Sequence, residues 1–462
     1  MMKRVTSIAL AVLLLFTAVS ADAAAAKPKR AVKEWTVAVF LNADNNLDPF
    51  GMEDQKEMSK IGSNEYMNIV TLIDRERGPA QINYIEKGKV TKIKDMGELD
   101  MGDYKEFVKF AKFIKTNYPA KHYSFTLWNH GSGWKNKNEN AVFRGISYDD
   151  SSNNHITNNQ LTIALKQITA ALGQKVDILN FDACLMQMVE VAHAVRDHVN
   201  FMVASEELEP GKGAPYDDIL RGVKKGMSPK DFAINWVNAF YKSYNGGSQG
   251  HDDSTQSALD LSKFSALLDS LNGLAKTAMS GKYADVFKKA LLRTQKFDFP
   301  ENIDLIHFLE LLKPMAASDN SLKTAVDKAL AASKAIVVEN KTTGSTLKNS
   351  KGLAIYLPAS FRLEQKYTTL DFAKETMWDD MILALAKREV VDNLLKEVKA
   401  GKLTELKKIV AAAKKNPKND LYRMALRELN YVSSTERSVP KASQAEFEKL
   451  LESLKTALQT RR

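Results

Sequence analysis

The sequence predicts an α/β protein in which a mostly parallel sheet is covered by helices on both faces. Three observations predict it. Short β-branched and apolar runs recur through the first half of the chain. Segments with apolar residues at helical spacing lie between them. The order strand, helix, strand therefore repeats, and that order builds parallel sheets.

The elements follow in chain order. The opening MMKRVTSIALAVLLLFTAVSADA pairs a basic start (Lys3, Arg4) with an apolar run and a small-residue cleavage site, Ala21-Asp22-Ala23. It reads as a signal peptide over residues 1–23, because the run is shorter than the roughly 20 residues a spanning helix needs. No cysteine follows the run, so a lipoprotein anchor is not expected, and the predicted location is secreted or periplasmic. Residues 24–33 read as a linker.

WTVAVFL (35–41), MNIVTLID (67–74), HYSFTLWNH (122–130), VDILNFDA (176–183) and NFMVASE (200–206) read as buried strands. AQINYIEK (80–87) and AVFRGISYD (141–149) read as additional or edge strands. Helical spacing marks 104–118, 158–172 and 185–199, and two more helices fall within 216–245. A Gly/Ser/Asp-rich loop covers 245–254. Helices resume over 255–385 around one further strand, 350–358, and complete the α/β domain begun at 34–254. Residues 386–462 read as a separate helical module, interrupted at Asn416-Pro417 and near Pro440.

The bulk numbers narrow the function. Apolar residues make 44% of the chain and charged residues 26%, as in ordinary globular proteins. The net charge is +10, but residues 386–462 hold 18 Lys and Arg against 10 Asp and Glu, leaving the rest near neutral. The basic segment lacks aromatic interleaving, so no nucleic-acid partner is expected; an acidic envelope surface suits it better. The chain has one cysteine, which cannot form an intramolecular disulfide.

In a parallel sheet, functional groups gather beyond the carboxyl ends of the strands. Two strands end in reactive residues: YSFTLWNHGSGW carries His130, and VDILNFDACLMQM carries Cys184. A helix starting just after Cys184 would favour thiolate through its N-terminal dipole. The Gly131 and Cys184 amides would serve as oxyanion donors. Nucleophile, acid/base and oxyanion donors together define an acyl-transfer site. A free cysteine is often only a small buried hydrophobe; export and the second junction bearing His-Gly weigh against that here. His130 lies 54 residues before Cys184, as in the caspase order and unlike the papain order. Gly-x-Ser-x-Gly and His-Glu-x-x-His are absent, and His193 and His198 are expected on a solvated helix face.

The set WTVAVFLNADNNLD, NHGSGW, NFDACLM, VASEE…PYD and KGLAIYLP resembles the clostripain-like cysteine peptidases of the caspase, gingipain and legumain group, in order over about residues 33–385. The resemblance implies a caspase-like three-layer sandwich, a His130/Cys184 dyad, and cleavage of protein or peptide substrates after Arg or Lys. It also implies that Asp182 selects the basic side chain; a helix cap is the competing role for that carboxylate. Glu206, Glu207 and Glu209 follow the next strand, and Glu206 and Glu207 are the candidates to line the specificity pocket, with Lys212 in the same loop.

Asp44, Asn46 and Asp48 imitate the start of a calcium loop, but Pro49 and Gln55 break the pattern, so the stretch is expected to shape the active-site edge. The chemistry requires no cofactor. Calcium, on which some relatives depend, stays an unassigned expectation. Some relatives cut themselves between the histidine and the cysteine, and Lys135, Lys137 and Arg144 are the candidate positions here. Two other readings compete: a non-catalytic envelope-binding protein on this scaffold, and an envelope amidase or transpeptidase using the same dyad.

Overall fold

The structure, a computed structural model, describes residues 31–135, 145–436 and 439–459. The signal peptide, most of the linker, Lys137 and Arg144 lie outside the described residues.

Nine strands form one sheet among the described residues: β1 (Lys33–Ala43), β2 (Met67–Arg75), β3 (Ala80–Glu86), β4 (Lys89–Gly97), β5 (Ala120–Trp128), β6 (Val176–Asp182), β7 (Val199–Ala204), β8 (Ser254–Asp260) and β9 (Val337–Thr343). The order is β9-β8-β7-β6-β5-β1-β2-β3-β4. The central five, β7-β6-β5-β1-β2, run parallel, and antiparallel strands close both sides.

Alternation along β1 shows why both faces are covered. Trp35, Val37, Val39 and Leu41 face α1 (Asp48–Ile61), α5 (Tyr216–Gly222) and α6 (Pro229–Tyr244). Ala38 and Phe40 face α2 (Tyr104–Asn117) and α3 (Asn158–Leu172). A strand buried on both sides reads as a continuous apolar run, which is what WTVAVFL is. Local signals fix the helix ends. Thr157 and Gln160 form a capping box on α3, Gly173 ends it in the left-handed region, and Ser228 caps α6 ahead of Pro229.

Two expectations are corrected here. The helix expected over 185–199 shrinks to α4, Val189–Val195. Leu185 adopts φ +65 in a turn, and the amides of Leu185 and Gln187 donate to the Glu207 and Ser205 carbonyls, so the segment after Cys184 bonds to the 205–207 segment instead of forming a helix. His193 is buried rather than solvated: its Nε2 bonds Glu375 at 3.1 Å, and its ring lies edge-on to Phe264 and Phe372. The strands β4, β8 and β9 were not expected from the sequence.

The remaining helices are α7 (Phe264–Ser280), α8 (Ala284–Leu291), α9 (Leu305–Met315), α10 (Asn320–Ile336), α11 (Asp371–Glu375) and α12 (Trp378–Lys399). Their apolar faces share one core with α2–α4, so residues 255–385 complete the same sandwich. The expected strand at 350–358 is a three-residue piece, Ala354–Tyr356, paired with Asn302–Asp304. Beyond it, the end of α12 with α13 (Thr404–Lys415), α14 (Asp420–Tyr431) and α15 (Lys441–Gln459) encloses a separate core of Leu394, Leu406, Leu429, Phe447 and Leu454.

Candidate active site

β5 and β6 are parallel neighbours, with Trp128 opposite Asp182, so the residues that follow them leave the same edge of the sheet. The two predicted reactive residues are thereby brought together. The Asn129 amide donates to the Asp182 carbonyl at 3.2 Å. A Cβ placed on Gly131 would stand 2.4 Å from the Cys184 carbonyl oxygen, so only glycine permits this approach of the two loops. Gly133, at φ +60, faces Met188 and the Leu185 carbonyl in the same manner.

The histidine loop is fixed on both sides of His130. The Asn129 side chain donates to the carbonyls of Asn42 (2.7 Å) and Tyr148 (2.9 Å) and accepts from the Tyr148 amide (2.8 Å). Ser132 bonds the Tyr148 hydroxyl at 2.7 Å. Trp134 packs edge-on to Tyr356 and Tyr367. The imidazole itself has one polar partner among the described residues. His130 Nε2 lies 2.7 Å from Asn46 Oδ1, an amide carbonyl that accepts, which leaves Nδ1 as the basic nitrogen. Burial holds the His130 pKa below its usual value, with Asp150 opposing.

Cys184 is half-buried, and its Sγ accepts from the Glu209 amide at 3.3 Å. Its thiol is pushed up to about 12, first by burial and then by the charge of Glu209. The expected helix-dipole activation is therefore corrected: α4 starts five residues later and is only seven residues long. Burial thus favours the neutral form of both the thiol and the imidazole.

Near the thiol lie two buried acids, Asp182 and Asp54, and the half-buried Glu209. Asp182 accepts from the Tyr216 hydroxyl (2.8 Å) and the Ala214 amide (3.1 Å). These bonds come from α5 and the preceding loop, so the carboxylate does not cap a helix after Cys184. Burial raises Asp182 to about 6. Glu209 is pushed well above the carboxylate range by burial and by Asp182, and its Oε1 accepts from Gln256 at 3.2 Å. Asp54, from α1, is raised in the same direction by burial and by Asp182, and accepts from the Trp128 indole at 2.6 Å. Lys212 turns away, its Nζ 3.5 Å from the Gln249 carbonyl.

The other predicted residues go elsewhere. Glu206 Oε2 accepts from the Gly352 amide at 3.0 Å, so it joins the 350–352 segment instead of meeting Asp182. Glu207 Oε1 accepts from the amides of Leu208 and Asp298. Lys135 forms ion pairs with Glu301 and Glu364. In the stretch that imitates a calcium loop, Asp48 forms a two-pronged pair with Arg75, Asn46 holds His130, and Asn45 caps Leu47 and bonds Tyr148. Those side chains turn to different partners. Sequence reasoning placed the Asn46 stretch at the active-site edge and Glu209 near the crevice without giving either a role, quoted Tyr216 only as part of a motif, and did not name Asp54. The Asn at the exit of β1 and the third glutamate of SEELE were the available signals.

A thiol and an imidazole thus leave the same carboxyl edge of a parallel sheet in an α/β sandwich, with Asp182 and Asp54 buried nearby. The chain belongs to the clostripain family, whose sequence profile matches residues 39–385. Clostripain from Hathewaya histolytica is 30% identical over 224 residues, 41% of this chain and 42% of that protein, so the match spans less than half of that relative. A secreted C11 cysteine protease from Bacteroides thetaiotaomicron, solved with an irreversible peptide inhibitor, superposes with a TM-score of 0.59 at 20% identity. The match covers 76% of this chain and 99% of that one. An inactive zymogen C11 protease from Parabacteroides distasonis gives 0.59 at 18% identity, covering 75% and 99%. At these identities the two structures establish the shared fold. Among the described residues, no helix is long and apolar enough to cross a membrane.

Proposed function

We propose that the protein is an exported cysteine endopeptidase that cleaves after Arg or Lys through a thioester acyl-enzyme. The observation that carries the specificity is Asp182. It is a buried carboxyl two residues before the nucleophile, reinforced by Glu209 and Asp54 and facing no cation of the protein among the described residues. A substrate guanidinium or ammonium supplies the missing positive charge.

Neutral His130 takes the thiol proton at Nδ1 as Cys184 Sγ attacks the scissile carbonyl. The Gly131 and Cys184 amides receive the oxyanion, the imidazolium then protonates the leaving amine, and water, deprotonated by His130, hydrolyses the thioester. Lys135, with its ammonium shared by two glutamates, is poorly placed as a self-cleavage position, which favours Lys137 or Arg144. Export rests on the N-terminal sequence.

Fluorogenic peptides ending in Arg, Lys, Asp or Asn, offered to wild type and Cys184→Ala, test the reading. Turnover of the Arg and Lys peptides by wild type alone is expected; equal turnover by Cys184→Ala would refute it.

A further inference from the structure

One strand of the sheet is buried and yet opens on polar residues. Ser254, Thr255, Gln256 and Ser257, at the start of β8, are each at most 2% exposed. Buried polar side chains need hydrogen-bond partners, and here the partners lie on the two segments that flank Cys184. Ser257 accepts from the Gln187 side chain at 2.6 Å, and Gln256 donates to Glu209 Oε1 at 3.2 Å. The Thr255 hydroxyl accepts from the amides of Glu206 (3.0 Å) and Glu207 (3.2 Å) and bonds the Ser205 hydroxyl at 2.8 Å. Ser205 in turn donates to the Glu207 carbonyl at 2.9 Å, the same oxygen that takes the Leu185 amide at 3.1 Å. Thr255 thereby holds residues 205–207, and the chain leaving them brings the Glu209 amide to 3.3 Å from Cys184 Sγ. The N-terminus of α4, which would otherwise stabilise a sulfur anion, begins only at Val189.

We propose that the Glu209 amide is a catalytic donor to the sulfur anion that forms at Cys184, and that Thr255 is the residue that positions it. The inference rests on the reading of Cys184 as the nucleophile and goes beyond it in naming the donor and the strand that holds it. When the thiol proton passes to His130, the negative charge stays on Sγ. A hydrogen bond to an anion is about twice as strong as one to a neutral acceptor, so the contact favours the deprotonated sulfur. It is worth about one to two pK units of thiol acidity. Part of that gain is offset, because a less basic thiolate is less nucleophilic, with a Brønsted coefficient of about 0.4–0.5. The net gain in reactivity below the thiol's pKa is about 3- to 20-fold.

Alkylation of Cys184 by iodoacetamide at neutral pH reads this gain without a peptide substrate, and the single cysteine of the chain makes the site unambiguous. Thr255→Val keeps the shape of the side chain and removes the hydroxyl. It is expected to slow alkylation about 3- to 20-fold, and Thr255→Ser to restore the rate. The sign separates positioning from mere support, because a loosened loop uncovers the half-buried thiol and speeds alkylation. Glu209→Pro deletes the amide hydrogen itself and should react more slowly than Glu209→Ala, which keeps it. Combined with Glu209→Pro, Thr255→Val should add no further loss, since both remove one contact. Thermal unfolding checks each variant, and if Thr255→Val does not fold, the two Glu209 variants decide. Alkylation of folded Thr255→Val at or above the wild-type rate, equal rates for Glu209→Pro and Glu209→Ala, or additive losses in the double variant would each overturn the inference. Fluorogenic Arg and Lys peptides keep the two proposals apart. A wild type that cleaves none of them overturns the proposed function, while the alkylation rates still decide the role of Thr255. A wild type that cleaves them while all variants alkylate alike overturns only the amide donor.

Discussion

Asn46 offers a sharp test of how the imidazole is held. Its Oδ1 accepts from His130 Nε2 at 2.7 Å, fixing the tautomer with Nδ1 free to take the thiol proton. A neutral hydrogen bond of this kind is worth about 0.5–1.5 kcal/mol net, so Asn46→Ala should lower kcat/KM by about 2- to 13-fold. Asn46→Asp separates orientation from packing. It keeps the size but places a carboxylate against the ring, and an opposite charge at this range raises a histidine's pKa by about 1–3 units. In wild type, burial holds His130 below its usual value, so it is neutral across the neutral range. In Asn46→Asp the base stays protonated to higher pH, and the acid limb of kcat/KM moves up by at least one unit. The assay is a pH–rate profile on an Arg peptide, with thermal unfolding as the check on folding. An acid limb at the same pH in wild type and Asn46→Asp would refute the role assigned to this contact.

Three further outcomes follow from the same geometry. Asp182→Asn removes the charge behind the nucleophile. At about 1.5–3 kcal/mol for a charge-assisted bond, kcat/KM for Arg and Lys peptides should fall about 10- to 150-fold, whereas reaction of Cys184 with a small neutral alkylating agent should change little. Gly131→Ala puts a methyl group 2.4 Å from the Cys184 carbonyl oxygen, forcing the two loops apart; kcat should drop at least about 100-fold, more than any loss in thermal stability accounts for. Glu190 is buried on α4, accepting from the Tyr356 amide and the Tyr367 hydroxyl, and burial raises its pKa from 4.5 to about 7. A carboxyl with a raised folded pKa is a penalty that grows as pH rises from its unfolded value toward the folded one. Glu190→Gln should therefore gain stability relative to wild type between about pH 4.5 and 7, by up to roughly 3 kcal/mol, and the gain should level off above pH 7. Unfolding in denaturant at pH 5 and pH 8 checks the sign.

The reactive edge was legible because its chemistry sits at strand exits. His130 with its glycines, and Asp182 with Cys184, each follow a run that must be a buried strand, and parallel neighbours bring such exits together. The individual roles of Asn46 and Glu209 were not legible because they depend on β1 and on the 205–209 loop arriving at that edge from elsewhere in the chain. LMQM carried apolar residues at helical spacing, yet its amides found the 205–207 carbonyls, and tertiary pairing overrode the local pattern. In β4, KVTKIKDMG is an exposed edge strand with little apolar signal, and β9, VVENKTT, is half-exposed on the opposite edge. Patterns of burial cannot announce strands that are scarcely buried. Glu206 shows the converse case: its motif neighbourhood pointed to the pocket, but its carboxyl accepts from the Gly352 amide.

The central claim is that Cys184 is a nucleophile served by a pocket for basic side chains. Intact-mass measurement after incubation with matched arginyl and aspartyl chloromethyl ketone peptides tests it most directly. The account predicts one adduct on wild type from the arginyl reagent, mapped to Cys184, lost in Cys184→Ala and strongly slowed in Asp182→Asn. Equal labelling by the two reagents, or arginyl labelling that survives in Cys184→Ala, would contradict it.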